Sequence, residues 1–454
     1  ELEVAGFVHF TRCDWGHPWN LGFRLHTPHH FSGHVRPESR NSRRAVAAHQ
    51  PSKKQNRMSP ELTIFSERLR DFIAFSSDES TRESAGHPAL AAHHDAEFNG
   101  MALMLFTLQF KLNPAYRALC QRRNASPEAL SHWTQIPPVP TQAFKELEMT
   151  CLAPEERTRV FHSSGTTGQQ PSRHFHSPES LALYEASLWP WFEAHLLGDR
   201  KASDPQPSPI ERLILLTPPP GQAPHSSLVH MFETIRQRLG APETAFAGRC
   251  TVDGWELNID TVLQLLKGAV TEQAPVMLLG TAFNCVNLLD HLSQCDLAFA
   301  LPPGSRIMET GGYKGRSRTL EKRELHALIS KHLGIPASHI VSEYGMSELN
   351  SQAYDCAITG QNPEVEEPDP DTKSRAFRFP LWARARVVSP ETGREVADGE
   401  TGLLQIFDLA NTFSVLAVQT EDLAVRRGNR FELLGRAAPA EPRGCSLMST
   451  DTRT

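Results

Sequence analysis

Residues 161–174 read Phe-His-Ser-Ser-Gly-Thr-Thr-Gly-Gln-Gln-Pro-Ser-Arg-His, and Ser163, Ser164, Gly165, Thr166, Thr167 and Gly168 follow one another with no apolar residue between them. Such a run cannot be a core strand or an amphipathic helix. Glycine lets the backbone enter left-handed turns and come close to a ligand. Successive turn amides then make a nest of N–H donors suited to phosphate oxygens. The hydroxyls add further donors, and Arg173 adds charge. On composition alone, a solvated Ser/Thr/Gly loop is an equal reading. A Walker-type loop is excluded, because no Gly-Lys-Ser/Thr follows at the required spacing.

A second equipped stretch is Ser342-Glu343-Tyr344-Gly345-Met346-Ser347-Glu348. Tyr344, at the end of a predicted strand, offers a flat face for a base, and Gly345 lets the backbone approach. Glu348 offers a hard carboxylate oxygen to Mg²⁺. Taken alone, a strand-terminating turn with a buried tyrosine is the simpler reading.

The elements that must position these residues follow from periodicity. The chain of 454 residues is long enough for two or three domains, and 39% hydrophobic with 22% charged residues is ordinary for a soluble protein. A net charge of −6 makes no case for nucleic acid or an anionic membrane as partner. No stretch approaches the ~18 apolar residues of a membrane span. The eight cysteines are scattered without CxxC pairs, which points to reduced thiols in a cytoplasm.

Residues 1–57 are rich in His, Arg and Pro without a sustained period, and read as a disordered or spurious extension. His29, His30 and His34 there lack a carboxylate or cysteine to complete a metal set. Met58-Ser59-Pro60-Glu61 looks like a true beginning, with Ser59 as N-cap and Pro60 at the first helical position. Leu62, Phe65, Leu69 and Phe72 follow at helical spacing, and Phe98, Met101, Leu105 and Leu108 form a second stripe over about 95–110. Residues 136–146 read as a proline-stiffened connector.

From 211 onward, short apolar strands end in turns: Leu213–Leu216 before Pro218, Val276–Leu279 before Gly280, Arg306–Met308 before Gly311, and Ile340–Val341 before Tyr344. A helix over 320–333 closes at Gly334. Strand–helix alternation with fully apolar strands predicts an α/β fold with a parallel sheet, whose ligands bind beyond the carboxyl ends of the strands. Over 380–436, shorter and more polar strands (Ala383–Val388, Leu403–Phe407, Phe431–Leu434) predict a small β-barrel or edge sheet.

Ser163–Gly168 resembles the phosphate loop of the adenylate-forming superfamily of acyl-CoA synthetases, peptide-synthetase adenylation domains and luciferases. Tyr344–Glu348 resembles its Tyr-Gly-x-Thr/Ser-Glu motif, with Ser347 in the hydroxyl position. Gln419-Thr420-Glu421-Asp422-Leu423 resembles its Thr-Gly-Asp-Leu motif with Glu421 in place of glycine, and Leu434-Gly435-Arg436 its Gly-Arg. The four stand in the superfamily's order. The resemblance implies that Asp422 binds the ribose hydroxyls, that Arg436 belongs to the nucleotide site, and that Glu348 and Thr166 hold Mg²⁺ beside ATP.

Several further stretches make the sequence similar to a narrower group. They are Gln169–His174, Pro140 with Phe144-Lys145, Met308–Gly315 and Glu441-Pro442-Arg443-Gly444-Cys445-Ser446-Leu447. This set looks like the acyl-protein synthetase family, the fatty-acid-activating component of bacterial bioluminescence and its non-luminous relatives, over 58–447, with 448–454 as a tail. The resemblance implies a large adenylate-forming-type domain of parallel-sheet subdomains plus a small β-barrel. It also implies ATP-dependent conversion of a carboxylic acid, fatty in this family, to an acyl-adenylate, then acyl transfer to a cysteine, with an acyl-accepting reductase or carrier protein as a partner.

Cys445, beside Arg443 and Gly444, is the candidate nucleophile, because a neighbouring cation lowers a thiol's pKa. An inert cysteine near the terminus is the alternative. Cys120, Cys151, Cys250, Cys285, Cys295 and Cys356 default to packing. The superfamily's C-terminal lid with its catalytic lysine has no counterpart in the 18 residues after Arg436, so Arg173, Lys314 and Arg443 become candidates for the adenylation cation. Transfer to CoA or a carrier-protein thiol, and a silent nucleotide-binding homologue, are the competing readings. Thr217–Pro220, His225–Leu228 and Gly280–Phe283 are expected to line the acid pocket, an apolar lining favouring a fatty or aromatic acid.

Overall fold

The computed structural model describes residues 59–76, 88–163, 171–199, 210–251, 254–311, 320–358 and 375–437, all within the compact unit Arg57–Thr454. The expectations for 1–57, Met58, Ser164–Gly168, Lys314, the 441–447 stretch with Arg443 and Cys445, and the 448–454 tail lie outside these residues.

Helix α1 (Pro60–Ser76) begins where Pro60 fixes the backbone for a first turn, and the Ser59 carbonyl accepts from Leu62 and Thr63 N–H at 3.0 and 3.3 Å. The Ser59 hydroxyl does not cap the helix by accepting; it donates to the Glu61 carboxylate at 3.1 Å. Leu62, Phe65, Leu69 and Phe72 are all buried, as their spacing requires. Helix α2 (Pro88–Leu112) extends the second stripe, burying Phe98, Met101 and Leu105 but leaving Leu108 half-buried. Helix α3 (Pro114–Arg122) follows, with Asn113 accepting from Tyr116 N–H as its cap. The predicted connector 136–146 is structured instead. Strand β1 (Val139–Pro140) pairs in parallel with Val418 and Gln419, and one helical turn, α4 (Ala143–Glu146), comes next.

Strands β2 (Arg159–His162) and β3 (Arg173–His176) form an antiparallel hairpin, followed by α5 (Pro178–Leu196), β4 (Arg212–Leu215) and α6 (Ser227–Leu239). Then come β5 (Glu243–Phe246), a second hairpin of β6 (Gly248–Thr251) and β7 (Gly254–Leu257), and α7 (Ile259–Glu272). The alternation closes with β8 (Val276–Thr281), α8 (Ala282–Gln294), β9 (Arg306–Thr310), α9 (Lys322–Leu333), β10 (Ile340–Tyr344) and the short β11 (Ala353–Tyr354). The sheet order is β11-β10-β9-β8-β4-β5, parallel throughout except for β11.

Period-2 alternation divides this sheet's side chains between two cores. Ile214, Leu278, Ile307 and Ile340 join one with Val262, Leu266, Leu289 and Ile329 of α7, α8 and α9. Leu213, Met277, Met308 and Val341 join the other with Phe192 and Phe232 of α5 and α6. Helices on both faces explain why these strands read as continuous apolar runs. Among the polar exceptions, fully buried Arg306 meets Asp199 through two bonds of 2.8 Å.

The last region is a second, mostly antiparallel sheet: β12 (Ala383–Val388), β13 (Thr401–Asp408), β14 (Ala417–Arg427) and β15 (Arg430–Arg436). The three strands expected there are present, and β14, the longest, was not expected. Strand β14 pairs with β13 on one side and with β1 and β15 on the other, so the ladders among the described residues make an open sheet and do not close a barrel.

Candidate active site

The hairpin β2–β3 is the stem of the Ser/Gly/Thr loop, with His162 opposite Arg173 as its last pair. Two further bonds clasp its mouth. Ser172 N–H donates to Ser163 Oγ at 3.0 Å, and His162 Nδ1–H donates to the Ser172 carbonyl at 3.2 Å. Ser163 is thus a stem residue whose hydroxyl oxygen is already engaged.

The turn after β10 docks against this stem. Ser347 Oγ donates to the His162 carbonyl at 3.3 Å and lies 3.4 Å from Ser227 Oγ, at the start of α6. Glu348 is buried beside the strand that leaves the loop. Its Oε1 accepts from Ser172 Oγ at 2.9 Å and lies 3.5 Å from His174 Nε2. Burial raises this carboxyl's pKa, but the His174 charge and the hydrogen bonds from His174 and Ser172 outweigh it, leaving the group below its ordinary value. The Glu348 carbonyl is held by Asn411 Nδ2 at 2.9 Å, and Gln109 of α2 donates to the Asn411 carbonyl at 2.8 Å. Below them, buried Asp408 accepts from the N–H groups of Asn350, Ser351 and Ala410 and from Ser351 Oγ, all within 3.0 Å.

Tyr344 is placed differently from its expected role as a flat platform. It is 7% exposed, with Phe431 and Phe379 edge-on to its ring at 5.4 and 6.3 Å. Its hydroxyl, rather than its ring face, addresses the site, donating to Asp422 Oδ2 at 2.7 Å. Burial pushes the Asp422 carboxyl up, and the Tyr344 bond and the Arg436 charge oppose this without cancelling it. Arg436 Nε lies 3.9 Å from Asp422 Oδ1, on the strand paired with it. A Cβ at Gly345 would meet Glu343 Oε1, so a larger residue there would need that carboxylate to move. Gly435 takes φ +123° beside the bulge at Leu423/Ala424. Glu421, where the motif has glycine, is exposed, outside the positive-φ region, and bonded by Gln142 Nε2 at 3.3 Å.

Arg173 does not join this group. Alternation along β3 aims Ser172 and His174 at Glu348 and turns Arg173 to the other face, where it lies 3.8 Å from Glu148 and over the Phe175 ring. The cysteine expectation also needs correcting. Cys120 and Cys285 are buried and Cys151 and Cys356 half-buried, but Cys250 and Cys295 are exposed. Burial pushes the Cys120 thiol up to about 12 and raises those of Cys151, Cys285 and Cys356 as well.

The expected acid-pocket segments are largely occupied with packing and capping contacts. Gly280 is packed on Leu216, Thr281 caps α8 by accepting from Asn284 N–H, and the loop through His225 docks on β2, its carbonyl taking the His162 N–H at 2.9 Å. A cavity of about 200 Å³ adjoins that loop, with a mixed lining: Pro220, Ala223, Pro224 and Val229 beside Arg159, Glu185, His230 and Glu233.

Ser172, His174, Asn411 and Asp408 are the site residues that motif reading missed. The signal for two of them was present: Ser172 and His174 stand two apart, as inward-facing positions of a strand do.

Residues 252–453 match the family model of acyl-protein synthetase, LuxE, a span that includes Glu348, Asp422 and Cys445. The chain is 21% identical over 353 residues to the long-chain-fatty-acid–luciferin-component ligase of Aliivibrio fischeri, covering 75% of this chain and 85% of that one. It is 20% identical to the ligase of the same name from Vibrio harveyi, covering 75% and 84%. Among solved structures, 2-hydroxyisobutyryl-CoA ligase with 2-HIB-AMP and CoA superposes with a TM-score of 0.54 at 14% identity, covering 76% of this chain and 69% of that one. An open conformation of the same ligase gives 0.53 at 13% identity, covering 76% and 70%. Among the described residues no helix is long and apolar enough to cross a membrane. Motif order, site geometry and relatives agree: this α/β chain has the fold of the adenylate-forming enzymes, and it is similar to the ligases of the acyl-protein synthetase family, whose model its residues 252–453 match.

Proposed function

We propose that the protein activates a carboxylic acid with ATP and passes the acyl group to its own Cys445. In the first step a carboxylate oxygen attacks the α-phosphorus, giving an acyl-adenylate and pyrophosphate. In the second the Cys445 thiolate attacks the acyl carbonyl, forming a thioester and releasing AMP. A carboxylate becomes an electrophile only when its oxygen carries such a leaving group, which is why the order is fixed.

One observation carries the reading. The stem of a Ser/Gly/Thr loop, a buried Glu348 and a Tyr344–Asp422–Arg436 chain, far apart in sequence, meet beyond the carboxyl end of β10. This is where ligands bind in parallel sheets. In this reading Asp422 takes the ribose diol, because a carboxylate accepts two charge-assisted bonds. Ser164–Gly168 and the Ser163 stem cradle the phosphates, and Lys314 supplies the adenylation cation, Arg173 facing away.

Mg²⁺ fits what is present. Ser172 Oγ and His174 Nε2 both address Glu348 Oε1, and in this reading Oε2 is the hard oxygen offered to a divalent ion. Glu348 and Thr166 would hold it, and when bound it offsets charge on the transferring phosphates.

The relatives' names make a long-chain fatty acid the first substrate to try, and a reductase or carrier protein the acceptor after Cys445. A cytoplasmic location supplies the ATP and the reducing conditions that this thiol needs. The test combines pyrophosphate release with intact-mass analysis of the parent and Cys445→Ser across a panel of acids. An acyl adduct in the parent, absent in the variant, with pyrophosphate release kept in both, is expected. Pyrophosphate release with no adduct in either would move the acceptor to an external thiol, and no release with any acid would refute acid activation.

A further inference from the structure

We infer that Ser172 and His174 are positioning residues that hold the Glu348 carboxylate by one oxygen and leave the other for the metal. The inference rests on the assignment of Glu348 as the metal carboxylate.

Glu348 is 7% exposed, and a buried carboxylate needs hydrogen-bond partners to stay charged. Both partners lie directly after the phosphate loop, Ser172 just before β3 and His174 within it. Ser172 Oγ donates its only proton to Glu348 Oε1 at 2.9 Å. His174 Nε2 lies 3.1 Å from that same hydroxyl oxygen, so the imidazole must carry its hydrogen on Nε2 and donate into the pair. Phe144, fully buried, lies against the His174 ring with centroids 4.8 Å apart at 34°, fixing its orientation. From the backbone side, Asn411 Nδ2 fixes the Glu348 carbonyl at 2.9 Å.

Ser172 serves two ends at once. Its N–H closes the loop mouth on Ser163 Oγ at 3.0 Å while its hydroxyl holds Glu348. The phosphate loop and the metal carboxylate are therefore tied through a single residue, and neither can shift without disturbing the other. Partners of this kind around a metal ligand change metal affinity by about 10–100-fold when removed.

The test measures binding of a nonhydrolysable ATP analogue by calorimetry, with and without Mg²⁺, in the full chain and in Ser172→Ala, His174→Leu, His174→Gln and Glu348→Gln. The quantity read is the gain in affinity that Mg²⁺ confers. Ser172→Ala and His174→Leu should lose about tenfold or more of that gain, and His174→Gln, whose amide can still donate, should keep most of it. If both variants keep the parent's gain while Glu348→Gln loses it, the positioning role is overturned and the Glu348 assignment stands. If Glu348→Gln keeps the gain, the assignment itself fails. Should His174→Leu not fold, Ser172→Ala, which removes a single oxygen, decides.

Discussion

Glu343 immediately precedes Tyr344 and is 5% exposed, its carboxylate hydrogen-bonded by Thr310 and facing Glu309 on the neighbouring strand. Burial, with the Glu309 charge adding to it, pushes this carboxyl from 4.5 up to about 7 against the pull of the Thr310 bond. Between those pH values the folded protein keeps a proton that the unfolded chain has released. Stability must therefore fall as pH rises through this window. At 1.36 kcal/mol per unit the loss is about 3 kcal/mol, fully developed above pH 7.

Glu343→Gln keeps the shape and an acceptor for Thr310 but cannot ionise. Its stability should be within about 1 kcal/mol of the parent at pH 5 and higher by about 3 kcal/mol at pH 8. Urea midpoints for both proteins at half-unit steps from pH 5 to 8 would show this as two diverging curves. Parallel curves, or a variant weaker at pH 8 than at pH 5 relative to the parent, would refute the argument. The ion would then have a compensating partner that burial alone does not predict.

Three shorter predictions address the site. Asp422→Asn should weaken ATP binding at least about tenfold in equilibrium titration with the fold retained, because an amide loses the charge that strengthens bonds to a diol. Arg173→Ala should release pyrophosphate at close to the parent rate and Lys314→Ala should lower it by about 10²-fold or more, since only the first is seen to face away from Glu348. Asp408→Asn should cost about 2–4 kcal/mol in urea unfolding. Whichever way the amide turns, its NH₂ meets at least one backbone donor, either Asn350 and Ser351 N–H or Ala410 N–H.

The elements that sequence showed well are those where one physical cause dominates. α1 was legible because Leu62, Phe65, Leu69 and Phe72 keep one face, and β4 and β8 because a sheet covered on both faces favours runs of apolar residues. Strand β14 was hidden because Gln419-Thr420-Glu421-Asp422 places four polar residues in a row, and the bulge at Leu423/Ala424 breaks its alternation. Asp408, Asn411 and Gln109 were invisible for another reason. Each is a polar residue amid apolar ones, and what makes it tolerable is a partner some 60 to 300 residues away.

The contrast between Arg173 and its neighbours shows where reading by residue type stops. Arg173 drew notice for its charge, the one property that strand geometry ignores. What geometry fixes is parity: with His162 opposite Arg173 and Phe161 opposite His174, residues 172, 174 and 176 share a face and 173 and 175 share the other. Ser172, His174 and His176 are accordingly buried, while Arg173 and Phe175 are only half so. A loop between fixed stem residues can vary in length without changing this, whereas a one-residue slip of β3 would present Arg173 to Glu348 and remove both of its hydrogen-bond partners. The loop's chemistry is thus set by its glycines and hydroxyls, but its coupling to the rest of the site is set by the register of the hairpin beneath it.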